Sequence, residues 1–186
     1  MGVSQSLKKE DLDELQKQSH FHKKELQTMY KQFKKEAPNS EIPKADFVEV
    51  LQQMGISDPL LHDVIFKALD RKREDKITFQ DLVFALSIMA RGTKEERIDF
   101  AFSMYDLDNT GYITRKNMLD IVTSFFNLVG PQLALSGKKY ESPEELVDDF
   151  FVLLDLDRDD HISLEEYKQG AVNHPGITQG LLLWDS

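Results

Sequence analysis

Apolar residues recur at helical spacing along most of the chain, and polar loops interrupt them at short intervals. Leu26, Met29, Tyr30 and Phe33 stand at i, i+3, i+4 and i+7, one face of an amphipathic helix. The polar stretch 36–41 ends that run, and the period resumes at Phe47, Val50, Leu51 and Met54 until Gly55 stops it. Asp58-Pro59 predicts a new helix start, an N-cap with proline at the first helical position, and Leu61, Ile65, Phe66 and Leu69 face inward from it. Leu82, Leu86 and Met89 follow the next polar loop. Arg91-Gly92-Thr93 then breaks the pattern, and Thr93 with Glu96 reads as a capping box. Ile98, Phe102 and Tyr105 precede a third loop, and Met118, Ile121, Val122, Phe125 and Val129 follow it up to Gly130-Pro131. Residues 130–143 form a long connection, and Ser142-Pro143 caps the helix that carries Phe150, Phe151 and Leu154. After His174-Pro175-Gly176 comes a short apolar tail, Ile177 to Trp184, which reads either as packed on the core or as the plug of a groove.

The loops hold the chemistry. Asp155 to Glu166 reads Asp-Leu-Asp-Arg-Asp-Asp-His-Ile-Ser-Leu-Glu-Glu. Over twelve positions it offers carboxylates at 1, 3 and 5 (Asp155, Asp157, Asp159), a main-chain carbonyl at 7 (His161), a hydroxyl at 9 (Ser163) and Glu166 at 12. That is the oxygen schedule of an EF-hand Ca²⁺ loop. Asp160 stands at position 6, where glycine is the rule and a left-handed backbone is required. The third loop, Asp106 to Asn117, offers Asp106, Asp108, Thr110, the Tyr112 carbonyl and Asn117, so two carboxylates replace four. Affinity follows ligand charge and number, which makes this the weaker hand, with a shell closer to the six oxygens Mg²⁺ accepts.

The second loop, Asp70 to Asp81, carries Lys72 at position 3 with Arg71, Arg73 and Lys76 around it, and predicts an internal Lys72 salt bridge in place of a metal. The first, around Ala37 and Pro38, offers nothing to a dication. Ile42, Ile77, Ile113 and Ile162 occupy equivalent loop positions 35, 36 and 49 residues apart, which exposes an internal repeat. Four loops with two helices each predict an all-α fold. It consists of four EF-hands in two paired lobes forming one compact body, with short β-bridges between paired loops.

Composition narrows the alternatives. The chain has 186 residues, 40% hydrophobic and 30% charged, enough for one domain or two small lobes. A net charge of −10 argues against nucleic acid as a partner. With no cysteine, disulfides and thiolate metal sites are excluded and an intracellular setting is permitted. No run approaches 18 apolar residues, and the polar, lysine-rich start is no secretory signal. Without a cysteine nucleophile, a serine-centred glycine elbow or an HExxH pair, catalysis is the least favoured class. His20 and His22 flank Phe21 as a surface metal pair or as incidental neighbours. Met1 to Ser6 fits the N-myristoylation pattern, with Gly2 the acceptor. One acyl chain holds a membrane only marginally, and residues 1–35 carry eight lysines against five acids. Those lysines read either as the second membrane contribution or as a solvated helix face.

Taken together, Met1-Gly2 through Ser6, Leu12, Leu15, Phe21 and Tyr30-x-x-Phe33-Lys34-Lys35-Glu36-Ala37-Pro38 resemble the neuronal calcium sensor family. Residues 101–108 and 159–166 are similar to its visinin-like and hippocalcin branch, and 85–93 to its potassium-channel-interacting branch. Ala37 stands where the family's disabled first hand has Cys; most members keep a working second hand, and most close the third with Glu. The resemblance implies an N-myristoylated Ca²⁺ sensor, cytoplasmic and peripheral on the cytosolic face of membranes. It also implies a groove for an amphipathic helix of a target protein. Carried onto this chain, that groove would be lined by Met29, Tyr30, Phe33, Phe47, Leu51, Phe66 and Leu86, although stripes at this spacing also read as core. The expected division is an acylated arm and first helix start over 1–20, a lobe with two degenerate hands over 21–92, a second lobe over 93–174 and a tail over 175–186. The alternative is a constitutive, Ca²⁺-insensitive regulatory subunit of a phosphatase or kinase.

Overall fold

The computed structural model describes residues 7–129, 134–135 and 138–174. Gly2 and the apolar tail 177–184 lie outside the described residues. Helices α1 (Lys9–Gln18) and α2 (Lys23–Glu36) precede β1 (Glu41–Pro43) and α3 (Lys44–Gln53). The second hand is α4 (Pro59–Leu69), β2 (Lys76–Thr78) and α5 (Phe79–Arg91), and the third is α6 (Lys94–Tyr105), β3 (Tyr112–Thr114) and α7 (Arg115–Val129). A small hairpin of β4 (Ala134–Leu135) and β5 (Lys138–Lys139) occupies the long connection. The fourth hand, α8 (Pro143–Leu154), β6 (His161–Ser163) and α9 (Leu164–Asn173), follows it.

Helix starts fall where capping chemistry puts them. The Asp58 side chain accepts from the Leu60 amide with Pro59 next in line, and Thr93 and Ser163 form capping boxes with Glu96 and Glu166. Each such side chain satisfies an amide that the first helical turn leaves without a partner.

Loops pair two by two through three-residue antiparallel strands. Ile42 faces Ile77 across β1 and β2, and Ile113 faces Ile162 across β3 and β6. Ile77, Ile113 and Ile162 are buried, so each bridge also seats an apolar side chain under its loops. One core cluster holds Leu12, Leu15, Leu26, Phe33, Phe79 and Val83. The larger one is built from α6 to α9 and also takes in Leu61 and Val64 of α4. The two halves therefore share packing along α4, which lies against α6 and α7.

Polar contacts gather beside the junction between halves, and one of them, His20 to Glu96, crosses it. Arg91 donates to the His20 carbonyl and to both Glu25 oxygens, while the His20 ring meets Glu96 at 2.9 Å. No helix among the described residues is long and apolar enough to cross a membrane.

Candidate metal centre

Three loops share one backbone design. At positions 4 and 6 the chain turns left-handed: Arg73 and Asp75 in the second loop, Asn109 and Gly111 in the third, Arg158 and Asp160 in the fourth, all with φ between 53° and 84°. Five of these six are not glycine, and each such residue has to be held in a conformation that L side chains disfavour. The hold comes from position 1. Asp70 accepts from the amides of Glu74 and Asp75, Asp106 from those of Thr110 and Gly111, and Asp155 from those of Asp159 and Asp160, all at 2.8–3.1 Å. The aspartate that opens each loop thus curls the segment around itself.

In the fourth loop this curl gathers charge. Oxygens of Asp155, Asp157 and Asp159 lie within 4.8 Å of one another, the one such acidic or histidine group among the described residues. Glu166 reaches back across the loop from α9. Its Oε1 accepts from the Leu156 amide at 2.9 Å, and its Oε2 from the Ser163 amide and hydroxyl at 2.9 and 2.7 Å. Partial burial opposes ionisation of Glu166, but the amides and hydroxyl around it win and hold its carboxyl below the usual range. Asp157 shifts the other way, raised by desolvation and then by the neighbouring Asp159 and Glu166. A set of hard oxygens carrying this much mutual repulsion fits a hard dication, which replaces repulsion with attraction. His161 contributes through its position in β6, and its ring meets Tyr112 edge-on at 6.1 Å.

The third loop has the same curl and less charge. Thr110 donates to the Tyr112 carbonyl at 3.3 Å, and the Asn117 carboxamide donates to Asp108 at 2.9 Å. Four of the five predicted ligands are thereby engaged pairwise with each other, each pair through a neutral donor.

In the second loop the expected Lys72 salt bridge is not formed. Lys72 is exposed and makes no ion pair among the described residues. Lys76 instead pairs with Glu41 of the opposite strand at 3.0 Å and with Glu74 at 3.7 Å. Glu74 lies two residues from Lys76 in the same loop, and Glu41 comes alongside through the strand pairing. An internal cation does occur in the first loop, where Lys34 reaches the Pro38 carbonyl and the Ser40 hydroxyl.

The seven residues named for a groove fall into two groups. Tyr30 and Phe33 pack on Phe79 at 5.0 and 5.5 Å between ring centres, with Met29 beside them, whereas Phe47 stacks on Phe66 at 5.8 Å. Phe33, Leu51 and Phe66 are buried, and Leu86 is half-buried.

One residue that spacing alone did not single out is Arg115, at position 10 of the third loop. It pairs with Asp148 on α8, lies 3.8 Å from Asp160 of the fourth loop, and stacks on Phe151 at 4.3 Å. It joins the two loops through side chains as β3 and β6 join them through backbone.

Comparison with known proteins agrees with this geometry. A family model described as an EF-hand domain pair matches residues 95–172, and one described as the USP32 N-terminal domain matches residues 16–111. The chain is 47% identical to "Calcium-binding protein NCSA" of Dictyostelium discoideum over 178 residues, covering 96% of this chain and 95% of that protein. It is 35% identical to "Neuronal calcium sensor 1" of Lymnaea stagnalis over 182 residues, covering 97% and 95%.

Proposed function

We propose that this chain, which belongs to the neuronal calcium sensor family of EF-hand proteins, is a Ca²⁺-binding sensor whose principal site is the fourth loop. The observation that carries the reading is the convergence of Asp155, Asp157 and Asp159 within 4.8 Å, with Glu166 across from them. Ca²⁺ bound there would offset half the charge of four clustered carboxylates and favour whichever arrangement of α8 and α9 holds their oxygens together. The third loop is the weaker site, with Asp106, Asp108, Thr110, Tyr112 and Asn117 as donors and Mg²⁺ as the competing ion. Names of the relatives above support the calcium reading.

Output would follow the family's pattern: an acyl group on Gly2 and the lysines of the amino-terminal helices for a cytosolic membrane face, and an apolar surface from Met29, Tyr30, Phe33, Phe47, Leu51, Phe66 and Leu86 for an amphipathic helix of a target. The Phe47 and Phe66 contact between α3 and α4 supports it, since opening that helix pair would expose both rings together.

Calorimetric titration of Ca²⁺ into the wild type and Asp155→Ala tests the site. One dominant binding step that disappears in the variant is expected. A step that survives Asp155→Ala unchanged would remove the fourth loop from the argument. Liposome pelleting of acylated protein, compared between Ca²⁺ and chelator, tests the membrane step separately.

A further inference from the structure

The second loop has the same curl but carries Arg71, Lys72 and Arg73 at positions 2 to 4, and Arg71 and Arg73 border a cavity apart from the fourth loop. The cavity measures about 660 Å³ and lies between α4, α5, α6 and the second and third loops. That volume falls within the usual range for small-molecule sites, about 300–1,000 Å³. Phe66, Phe84, Ile88, Phe100, Met104 and Leu107 give it an apolar floor.

Charge around the floor is unevenly engaged. Asp70 and Asp106 are taken up by the amides of their own loops, Glu96 by Thr93 and His20, and Asp99 by Lys168 at 2.8 Å. Lys44 pairs with Asp63 at 2.7 Å. Among the described residues, Arg71, Arg73 and Lys67 have no carboxylate partner: the Arg71 guanidinium lies 3.4 Å above the Phe84 ring, and Lys67 reaches only the Leu107 carbonyl at 3.4 Å. Against these three cations stands one wall carboxylate without a partner, that of Asp75.

We propose that this cavity binds a small amphiphilic anion, an alkyl chain ending in a carboxylate, with the chain on the phenylalanine floor and the carboxylate at the Arg71 and Arg73 rim. An extended peptide is the poorer occupant. Its backbone amides need partners, and beyond the charged rim the walls supply only Ser103 and Asn109. An alkyl chain has no such groups to satisfy. A chain of net charge −10 also favours a free monomeric anion over an anionic bilayer. The site is independent of the fourth-loop metal. Asp106, Leu107 and Asn109 of the third loop nevertheless form part of its wall, so occupancy of the cavity and of that loop are thermodynamically linked.

The test is calorimetric titration of dodecanoate, below its micellar concentration, into the full chain with metal chelated. Saturable one-site binding is expected, weaker by roughly tenfold in the Arg71→Ser/Arg73→Ser double variant. Dodecyl maltoside, which has the same tail and no charge, is expected to bind at least about tenfold more weakly. Ser103→Trp, which fills the cavity from an exposed wall position, should abolish binding. Both arginines are exposed, so the double variant keeps its fold, which circular dichroism checks. Absence of dodecanoate binding, equal affinity in the double variant, or equal affinity for the neutral amphiphile would overturn the proposal. So would a rim that governs pelleting with phosphatidylglycerol vesicles while dodecanoate fails to bind, because that assigns the cations to a bilayer. Asp155→Ala should leave dodecanoate affinity unchanged, which separates this result from the fate of the calcium site.

Discussion

The Asn117 carboxamide donates a hydrogen bond to the Asp108 carboxylate at 2.9 Å, tying position 12 of the third loop to position 3. Glu166 at the equivalent place in the fourth loop cannot donate, and it accepts from backbone amides instead. The third loop therefore quiets its own charge with a neutral group. Asn117→Glu should replace that tie with repulsion, which a dication relieves. The expected outcome is a second Ca²⁺ binding step, tighter by roughly tenfold or more than the wild-type third loop. An unchanged calorimetric isotherm would show that position 12 does not limit this hand.

Arg91 sets an acid limit at the junction of the two halves. Its guanidinium, and then the His22 amide, lower the Glu25 carboxyl from 4.5 to about 2. A carboxylate with a depressed folded pKa contributes stability above its unfolded value and loses that contribution as pH falls from about 4.5 towards 2. Arg91→Met should therefore be less stable than wild type at neutral pH and lose less on acidification, so the two unfolding midpoints converge by pH 2. Because both partners are exposed, added salt should narrow the difference. Urea unfolding at stepped pH reads this directly.

Local features were the legible ones. The ligand order of the fourth loop and the Asp58, Thr93 and Ser163 caps depend on residues a few positions apart, and each of the four isoleucines on its place within one loop; the fold puts the caps and the isoleucine pairs where that reading sets them. Lys72 misled because a loop read by itself shows a cation among acids, whereas the partner of Lys76 is Glu41, brought alongside by the pairing of two strands 35 residues apart. Arg115 was hidden for the same reason: Asp148 and Phe151 reach it only once α8 lies beside α7. The cavity escaped too. Its floor draws on α4, α5 and α6, and no single periodic stripe contains Phe66, Phe84 and Phe100 together.

Tyr167 carries a polar group into the second core at a loss. Its ring packs on Phe102 at 5.6 Å, its side chain is fully buried, and its hydroxyl has no hydrogen-bond partner among the described residues. Desolvation drives the phenol pKa well up, so the group stays neutral at any working pH. Removing the unsatisfied oxygen while keeping the ring should leave packing intact. Tyr167→Phe is expected to be more stable by about 1 kcal/mol in urea unfolding. A loss of stability would reveal a partner for that hydroxyl.

Gly170 makes room for the residue that leads into the fourth loop. A methyl group added there would sit 1.9 Å from Cδ2 of Leu154, a side chain only 1% exposed and next in sequence to Asp155. Leu154 would have to swing its side chain aside within the core. Gly170→Ala should destabilise the chain by about 1–3 kcal/mol and, by displacing α8 from α9, weaken Ca²⁺ binding as well. Thermal unfolding together with a metal titration checks both, and a variant that loses stability alone would uncouple the helix contact from the loop.

The Ile42 and Ile77 bridge, with Asp70 curling the second loop and Lys34 reaching into the first, gives the amino-terminal half its hand shape through groups covalently part of the chain. The curl of these two loops is therefore written in hydrogen bonds of the chain itself and waits on no ion, so stripping metal with a chelator should leave the Ile42 and Ile77 pairing in place.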